Sequence, residues 1–187
     1  CIERYGITTF YTAPTAIRSF VTSRDPAFVI DRLQRGSVDF VVTMDPEALW
    51  SSLPLVNREQ RFFEAPVRVY RVPDPWPRVR METGTGSLLA PLPRVLEIRD
   101  GRVRAEVDAP EAASLVVATS YDEGWRARVD GIEVPVRENA LAFVSIPLNP
   151  GHHLVDLSYR PPLLTAGALL SALALIAAFG AAFREGA

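Results

Sequence analysis

The sequence predicts an α+β fold: a small α/β subdomain over residues 1–80, an antiparallel β-sandwich over 81–160, and one C-terminal transmembrane helix over 163–183. Three observations carry this expectation. Helix-start signals and apolar strand-like runs mingle before residue 80. Short alternating strands with turn signals every 8–12 residues follow it, the pattern of a sandwich. The run Leu163–Phe183, LLTAGALLSALALIAAFGAAF, contains no charged residue.

In the first segment, Asp25-Pro26 reads as a helix cap followed by proline at the first helical position. Phe28, Val29, Ile30 and Leu33 then form a short helix, which Gly36 is expected to end. Val38–Thr43 is β-branched and apolar, hence a strand. Asp45-Pro46 starts a second short helix through Leu49 and Trp50. Arg61–Glu64 and Val67–Val72 read as strands. Val67, Val69 and Arg71 share one face of the second, and Arg68, Tyr70 and Val72 the other. Pro73, Pro75 and Pro77 make PDPWPR a stiff connector, and the domain boundary is expected near it. Gly84–Ser87 and Pro91–Pro93 read as loop.

In the second segment, Asp100-Gly101 joins Val95–Ile98 to Val103–Val107. Asp-Gly between alternating strands is a strong hairpin signal, because a two-residue turn needs positive φ. Val103, Ala105 and Val107 face inward, with Arg102, Arg104 and Glu106 outward. Ser114–Thr119 reads as a buried central strand. Trp125, Ala127 and Val129 alternate with Arg126 and Arg128, and Asp130-Gly131 turns into Ile132, Val134 and Val136. Leu141–Leu148 is another strand, Asn149-Pro150-Gly151 a turn, and His153–Tyr159 the last strand. Val155, Leu157 and Tyr159 share one face of it.

The uncharged run reaches about 31 Å as a helix, close to the hydrocarbon thickness of a bilayer. Arg160 and Arg184 flank it. Gly167 and Ser171, and Ala174, Ala178 and Ala182, recur four apart, a spacing that lets another helix approach. An Ala-rich run without a partner fits the same residues. The lipid bilayer is thus an expected partner.

All 20 basic residues are arginine and net charge is −2. The absence of lysine excludes Schiff-base, P-loop and adenylation chemistry in this chain. No basic excess suggests nucleic acid. Cys1 alone allows neither an internal disulfide nor a cysteine metal cluster. His152 and His153 are neighbours whose side chains point to opposite strand faces, so no metal site and no cofactor are expected. Thr83–Ser87 is glycine-rich, but no lysine follows to make it a phosphate loop. No catalytic constellation appears. The best candidate binding site is Asp122, Glu123, Trp125 and Arg126, since an aromatic ring beside charged groups suits sugar faces and hydroxyls. The competing reading makes Trp125 a core anchor and Asp122-Glu123 an exposed turn. The alternation of Trp125 with Ala127 and Val129 favours that reading.

Tyr121, Gly124, Trp125, Ala127, Val129, Asp130 and Gly131, then Pro135, Pro150, Gly151, His153, Tyr159 and Pro161 before the last helix, follow an ordered pattern. It resembles the C-terminal end of bacterial YfhO-type membrane proteins. Val38–Val42 and Val69–Arg78 resemble upstream parts of that family, so the likeness extends over about residues 36–183. The resemblance implies a multi-pass parent of the GT-C type, a glycosyltransferase using a polyprenyl-phosphate-linked sugar. Its catalytic acid lies in an extracytoplasmic loop near the N-terminal helices. It also implies an extracytoplasmic soluble part, a cytoplasmic C-terminus, and upstream transmembrane helices and a glycan or lipid-linked sugar as partners. The chain starts with Cys1 rather than Met and enters mid-pattern at ERYGITTFYTAP, and it is expected to be the C-terminal piece of a longer protein. The alternative function is a membrane-tethered sandwich that binds glycans or a protein partner. A separate nine-residue stretch, Phe10–Arg18, is similar to acetyl-CoA synthetases. That family's phosphate loop and catalytic lysine are absent, and nothing downstream continues the match.

Overall fold

A computed structural model describes residues 25–43, 52–62, 65–99, 101–162, 167 and 170–176. They form a small α/β unit and a two-sheet sandwich. The α/β unit contains α1 (Pro26–Arg35) and a three-stranded antiparallel sheet in the order β1-β3-β2, with β1 Phe40–Thr43, β2 Leu55–Phe62 and β3 Ala65–Arg71. Asp25 caps α1 as expected, its carboxylate accepting from the Ala27 amide at 3.0 Å, with Pro26 entering the first turn. Val29 and Leu33, four apart, bury the helix against Leu53, Tyr70 and Val72. Arg32 and Arg35 occupy the last turn, where cations suit the helix dipole.

Gly36 ends the helix in a different way from that expected. It stays right-handed at φ −75°, and Ser37 takes the left-handed conformation at φ 57°. The terminal carbonyls are still capped: the Ser37 amide donates to Gln34 O and the Val38 amide to Leu33 O. Ser37 is buried, and its hydroxyl lies 3.2 Å from the Arg80 guanidinium, which holds the serine in place. The predicted helix from Asp45 lies outside the described residues, as do Glu64 and Asp100.

The sandwich has ten strands rather than the seven or so expected. One sheet runs β10-β9-β13-β7-β6 and the other β11-β12-β8-β4-β5. In the first, β6 is Arg94–Arg99, β7 Arg102–Ala109, β9 Trp125–Val129, β10 Ile132–Val134 and β13 Gly151–Tyr159. In the second, β4 is Val79–Glu82, β5 Leu88–Leu89, β8 Ala113–Ser120, β11 Arg137–Glu138 and β12 Phe143–Leu148. The additional strands are β4 and the two-residue edge strands β5 and β11. Edge pieces that short carry no readable alternation.

The alternation expected for β7, β9 and β13 is observed. Val103, Ala105, Val107, Trp125, Ala127, Val155 and Leu157 meet Val79, Met81, Leu115, Val117, Val144, Ile146 and Leu148 of the other sheet in one core. Both hairpins keep the expected register. Arg99 pairs Arg102 across Asp100-Gly101, with Gly101 at φ 70°. Val129 pairs Ile132 across Asp130 at φ 54° and Gly131 at φ 82°, as a type I′ turn requires.

The central strand β8 is buried on both faces. Leu115 and Val117 point into the core, while Val116 and Ala118 form a second cluster with Phe143. Opposite Val116 lies Arg80, fully buried. Its Nε donates to Glu82 at 2.7 Å and its Nη1 to Ser37 Oγ and Pro77 O. Its guanidinium sits 5.1 Å from the Trp76 ring centroid, and Arg35 stacks on the same ring at 4.7 Å. Arg35 also donates to Gly86 O in the β4–β5 turn. The proline-rich segment is tied to the helix end, with Trp76 N donating to Gln34 O and Gln34 Nε2 to Pro73 O.

The predicted transmembrane helix is not carried by the structure. Gly167 and residues 170–176 are helical, but among the described residues no helix is long and apolar enough to cross a membrane. The rest of Leu163–Phe183 lies outside the described residues.

Burial lowers the Arg80 pKa by desolvation, against the pull of Glu82. The pair therefore stands or falls together. Glu82→Ala leaves a buried cation without its counter-ion and should cost about 3–5 kcal/mol. Arg80→Met combined with Glu82→Leu removes both charges and should recover most of that loss. Chemical denaturation of the two variants checks the order. Equal destabilisation would show that the pair is not electrostatically coupled.

Candidate functional site

Asp122, Glu123, Trp125 and Arg126 lie where β8 ends and β9 begins. The Tyr121 amide donates to Ala142 O, closing the loop on the neighbouring turn. The Asp122 carboxylate accepts from the Gly124 amide at 2.7 Å, an aspartate turn that aims the chain into β9. Trp125 is 9% exposed, and its indole N–H donates to Ser120 O at 3.1 Å. Its ring packs on Tyr159 with centroids 5.1 Å apart and planes tilted by 55°. The Tyr159 hydroxyl donates to Asp122, which, with desolvation, raises the tyrosine pKa.

The structure thus joins Asp122 and Trp125 and separates them from the other two. Glu123 contributes its backbone carbonyl, which accepts from Arg126 Nη1 at 2.6 Å. The same nitrogen donates to Trp125 O. Arg126 projects from the outer face of its sheet. The indole is a core group with a satisfied N–H, and its faces are spent on protein contacts rather than open to a sugar ring.

Gly124 organises this cluster. A Cβ there would stand 2.5 Å from Arg160 O and 2.6 Å from a Tyr159 ring carbon. The absence of a side chain lets the Arg160 amide donate to Gly124 O at 2.9 Å. One residue earlier, the Tyr159 amide donates to Gly101 O at 2.7 Å. The chain therefore leaves the sandwich under two backbone clamps, three residues before the uncharged run begins.

The comparison with known families bears on these residues directly. Residues 89–171 match the family of the bacterial membrane protein YfhO. The YfhO match begins in β5, takes in every later strand and the Gly124–Arg160 clamp, and ends in the helical residues past the sandwich. The resemblance seen in the sequence holds over this segment, which is shorter than the expected 36–183. No curated protein and no solved structure matches the chain. Phe10–Arg18, with its acetyl-CoA synthetase likeness, lies outside the described residues.

The two histidines diverge as strand geometry demands. His152 Nδ1 pairs with Asp108 at 2.6 Å, and His153 Nδ1 with Asp130 at 2.7 Å. Asp130 also accepts from the Leu154 amide, and these bonds hold its pKa below the ordinary carboxylate value. Among the described residues, no group of three or more His, Cys, Asp or Glu is placed to hold a metal. The reading of the sequence missed Arg80, Arg35 and Trp76 as a cluster. The only local signal was an arginine at an outward position of the apolar strand VRME, four residues after the proline-flanked Trp76.

Gly124→Ala should destabilise the protein by about 1–3 kcal/mol, the range for overpacking. Gly84→Ala, with nothing within 4 Å of the added carbon, should stay within about 0.5 kcal/mol. Thermal melts of the two variants check this contrast, and matching melts would count against the close approach. The hydrogen bond to Asp108 raises the His152 pKa above its ordinary 6.5. The contribution of this pair to stability is therefore full below that value and fades as pH rises through the raised pKa. NMR titration should show a His152 midpoint above 6.5 that returns toward it in Asp108→Asn.

Proposed function

We propose that the chain is the extracytoplasmic C-terminal part of a YfhO-like multi-pass membrane protein. In this reading the parent is a glycosyltransferase that draws its sugar from a polyprenyl-phosphate-linked donor. The sandwich is a rigid support beside the acceptor side, and the reacting carboxylate lies on an upstream loop. One observation carries the proposal: the YfhO-matched segment contains a clamped last strand and continues from it into the uncharged run, as far as residue 171. Leu170, Leu173, Leu175 and Ile176 in that run are all exposed. Their spacing distributes them around the helix, a pattern suited to lipid rather than to one protein face. The run crosses the bilayer, with Gly167, Ser171 and Ala174 available to upstream helices and the C-terminus in the cytoplasm.

The buried, satisfied indole of Trp125 supports the support role over glycan binding. The test compares this chain with its full-length parent. The chain should remain with membranes through an alkaline carbonate wash, and truncation after Arg160 should release it. The parent should transfer sugar from a polyprenyl-phosphate donor, and the chain alone should not. Release of the intact chain by the wash overturns the anchor. Transfer by the chain alone, abolished by Asp122→Asn or Glu123→Gln, moves the chemistry into the sandwich.

A further inference from the structure

The strand registers place a row of side chains at the end of the sandwich from which the chain exits. Across neighbouring strands, Arg99 of β6 pairs Arg102 of β7, Arg102 pairs Ser158 of β13, and Ser158 pairs Arg126 of β9. Arg160 follows just beyond the end of β13. The next row on the same outer face is mixed: Glu97, Arg104, Asp156, Arg128 and Glu133. Charge on this face is therefore sorted along the strands. Arginines stand alone in the terminal row, and acids enter one row further from the exit.

These arginines differ in how fully they are engaged. Arg102 is held by Asp156 at 2.8 Å. Arg99 reaches Glu97 at 3.3 Å yet leaves 81% of its side chain exposed. Arg126 donates to two backbone carbonyls and is exposed, and Arg160 is exposed. The acids of this end are Asp122 and Glu123, with Asp100 at the hairpin tip in sequence. The Asp122 carboxylate is turned inward to Gly124 N and the Tyr159 hydroxyl. Beside the row, Ile98 on the edge strand is 52% exposed.

We propose that this end of the sandwich rests on the bilayer surface, with Arg99, Arg126 and Arg160 taking the phosphates of anionic lipid headgroups and Ile98 entering the interface. The inference rests on the transmembrane reading of Leu163–Phe183. The two clamps, Tyr159 N to Gly101 O and Arg160 N to Gly124 O, fix the exit against both neighbouring strands. Only Pro161 and Pro162 separate Arg160 from the uncharged run, too short and too stiff a link to hold this end far from a membrane that the run enters. The opposite end, at Gly151 and Ala112, is about 26 Å away along β13, at about 3.3 Å per residue. Guanidinium suits this contact, since it binds phosphate bidentately.

The full chain carrying Cys1→Ser is labelled at a single new cysteine with an environment-sensitive fluorophore. One version carries Ile98→Cys, at the exit end, and the other Ala112→Cys, at the far end. Each is reconstituted into phosphatidylcholine vesicles with and without phosphatidylglycerol. A lipid bearing a nitroxide on its headgroup serves as quencher, and a carbonate wash is run in parallel. Quenching at position 98 should exceed that at position 112 several-fold and deepen with phosphatidylglycerol. Arg99→Gln, Arg126→Gln and Arg160→Gln together should remove the phosphatidylglycerol dependence. A chain retained through the wash but quenched equally at both positions overturns the apposition and leaves the anchor standing. Quenching at 98 that ignores both phosphatidylglycerol and the arginine substitutions overturns the headgroup contact. Release by the wash removes the anchor and this inference together.

Discussion

The exit of the chain from the sandwich depends on there being no side chain at position 124. Gly124 lets the backbone of Arg160 and the ring of Tyr159 approach closer than any Cβ would permit. That approach seats Tyr159 on Trp125, and Trp125 in turn closes the open end of the core between the two sheets. The aspartate turn at Asp122 and the hydroxyl of Tyr159 meet at the same carboxylate, so the loop, the core and the final strand are fixed by one set of contacts. A motif that reads as an acidic, aromatic and basic binding cluster is explained here as a lock. Two of the four candidate residues, Asp122 and Trp125, grip the chain's own last strand through Tyr159.

A second lock joins the α/β unit to the sandwich. Burying an arginine is costly, because the guanidinium loses its water. Arg80 offsets this with a carboxylate, a serine hydroxyl, a carbonyl and an aromatic face. The donors and acceptors come from both sides of the proline-rich segment. Arg80 and Glu82 belong to β4 of the sandwich, Ser37 to the turn after α1, and Trp76 to the segment between them. Nη2 keeps no hydrogen-bond partner among the described residues. Such an arrangement contributes more to fixing a single docking geometry than to net stability.

The sandwich was legible in the sequence wherever a signal was local. Asp-Gly between alternating runs announced both hairpins, because turn chemistry depends on two residues alone. The period-two pattern of Val103, Ala105 and Val107, and of Val155 and Leu157, identified the inward faces for the same reason. What was not legible depended on distant partners. Arg80 sits at an outward position of its strand, and such a position normally means solvent. Only the docking of Ser37 and the apolar outer cluster of Val116, Ala118 and Phe143 make it interior. Gly36 follows the helix as expected, but the left-handed residue is Ser37, whose hydroxyl meets Arg80 from a distant strand. The candidate site was legible as a cluster but not as a role. Sequence spacing placed Asp122 and Trp125 together, while Tyr159, which decides what they do, lies far along the chain.

The two outer faces of the sandwich differ in kind. The face of β11-β12-β8-β4-β5 is apolar around Val116, Ala118 and Phe143, and its buried arginine holds the α/β unit there. The face of β10-β9-β13-β7-β6 is a mixed array of arginines and acids, paired across strands by bonds such as Arg102 to Asp156 and Arg94 to Glu106. Opposite charges on adjacent strands satisfy one another and leave little net field for a soluble polyanion to follow. The terminal row, Arg99, Arg102, Ser158 and Arg126, holds no acid of its own, and Arg102 and Arg99 reach acids only in the next row, at Asp156 and Glu97. The next row holds two arginines and three acids, so the positive excess sits at the exit end. A sheet whose charged residues in its last row are all arginines, beside an uncharged run, has a polar end suited to a phosphate-rich surface.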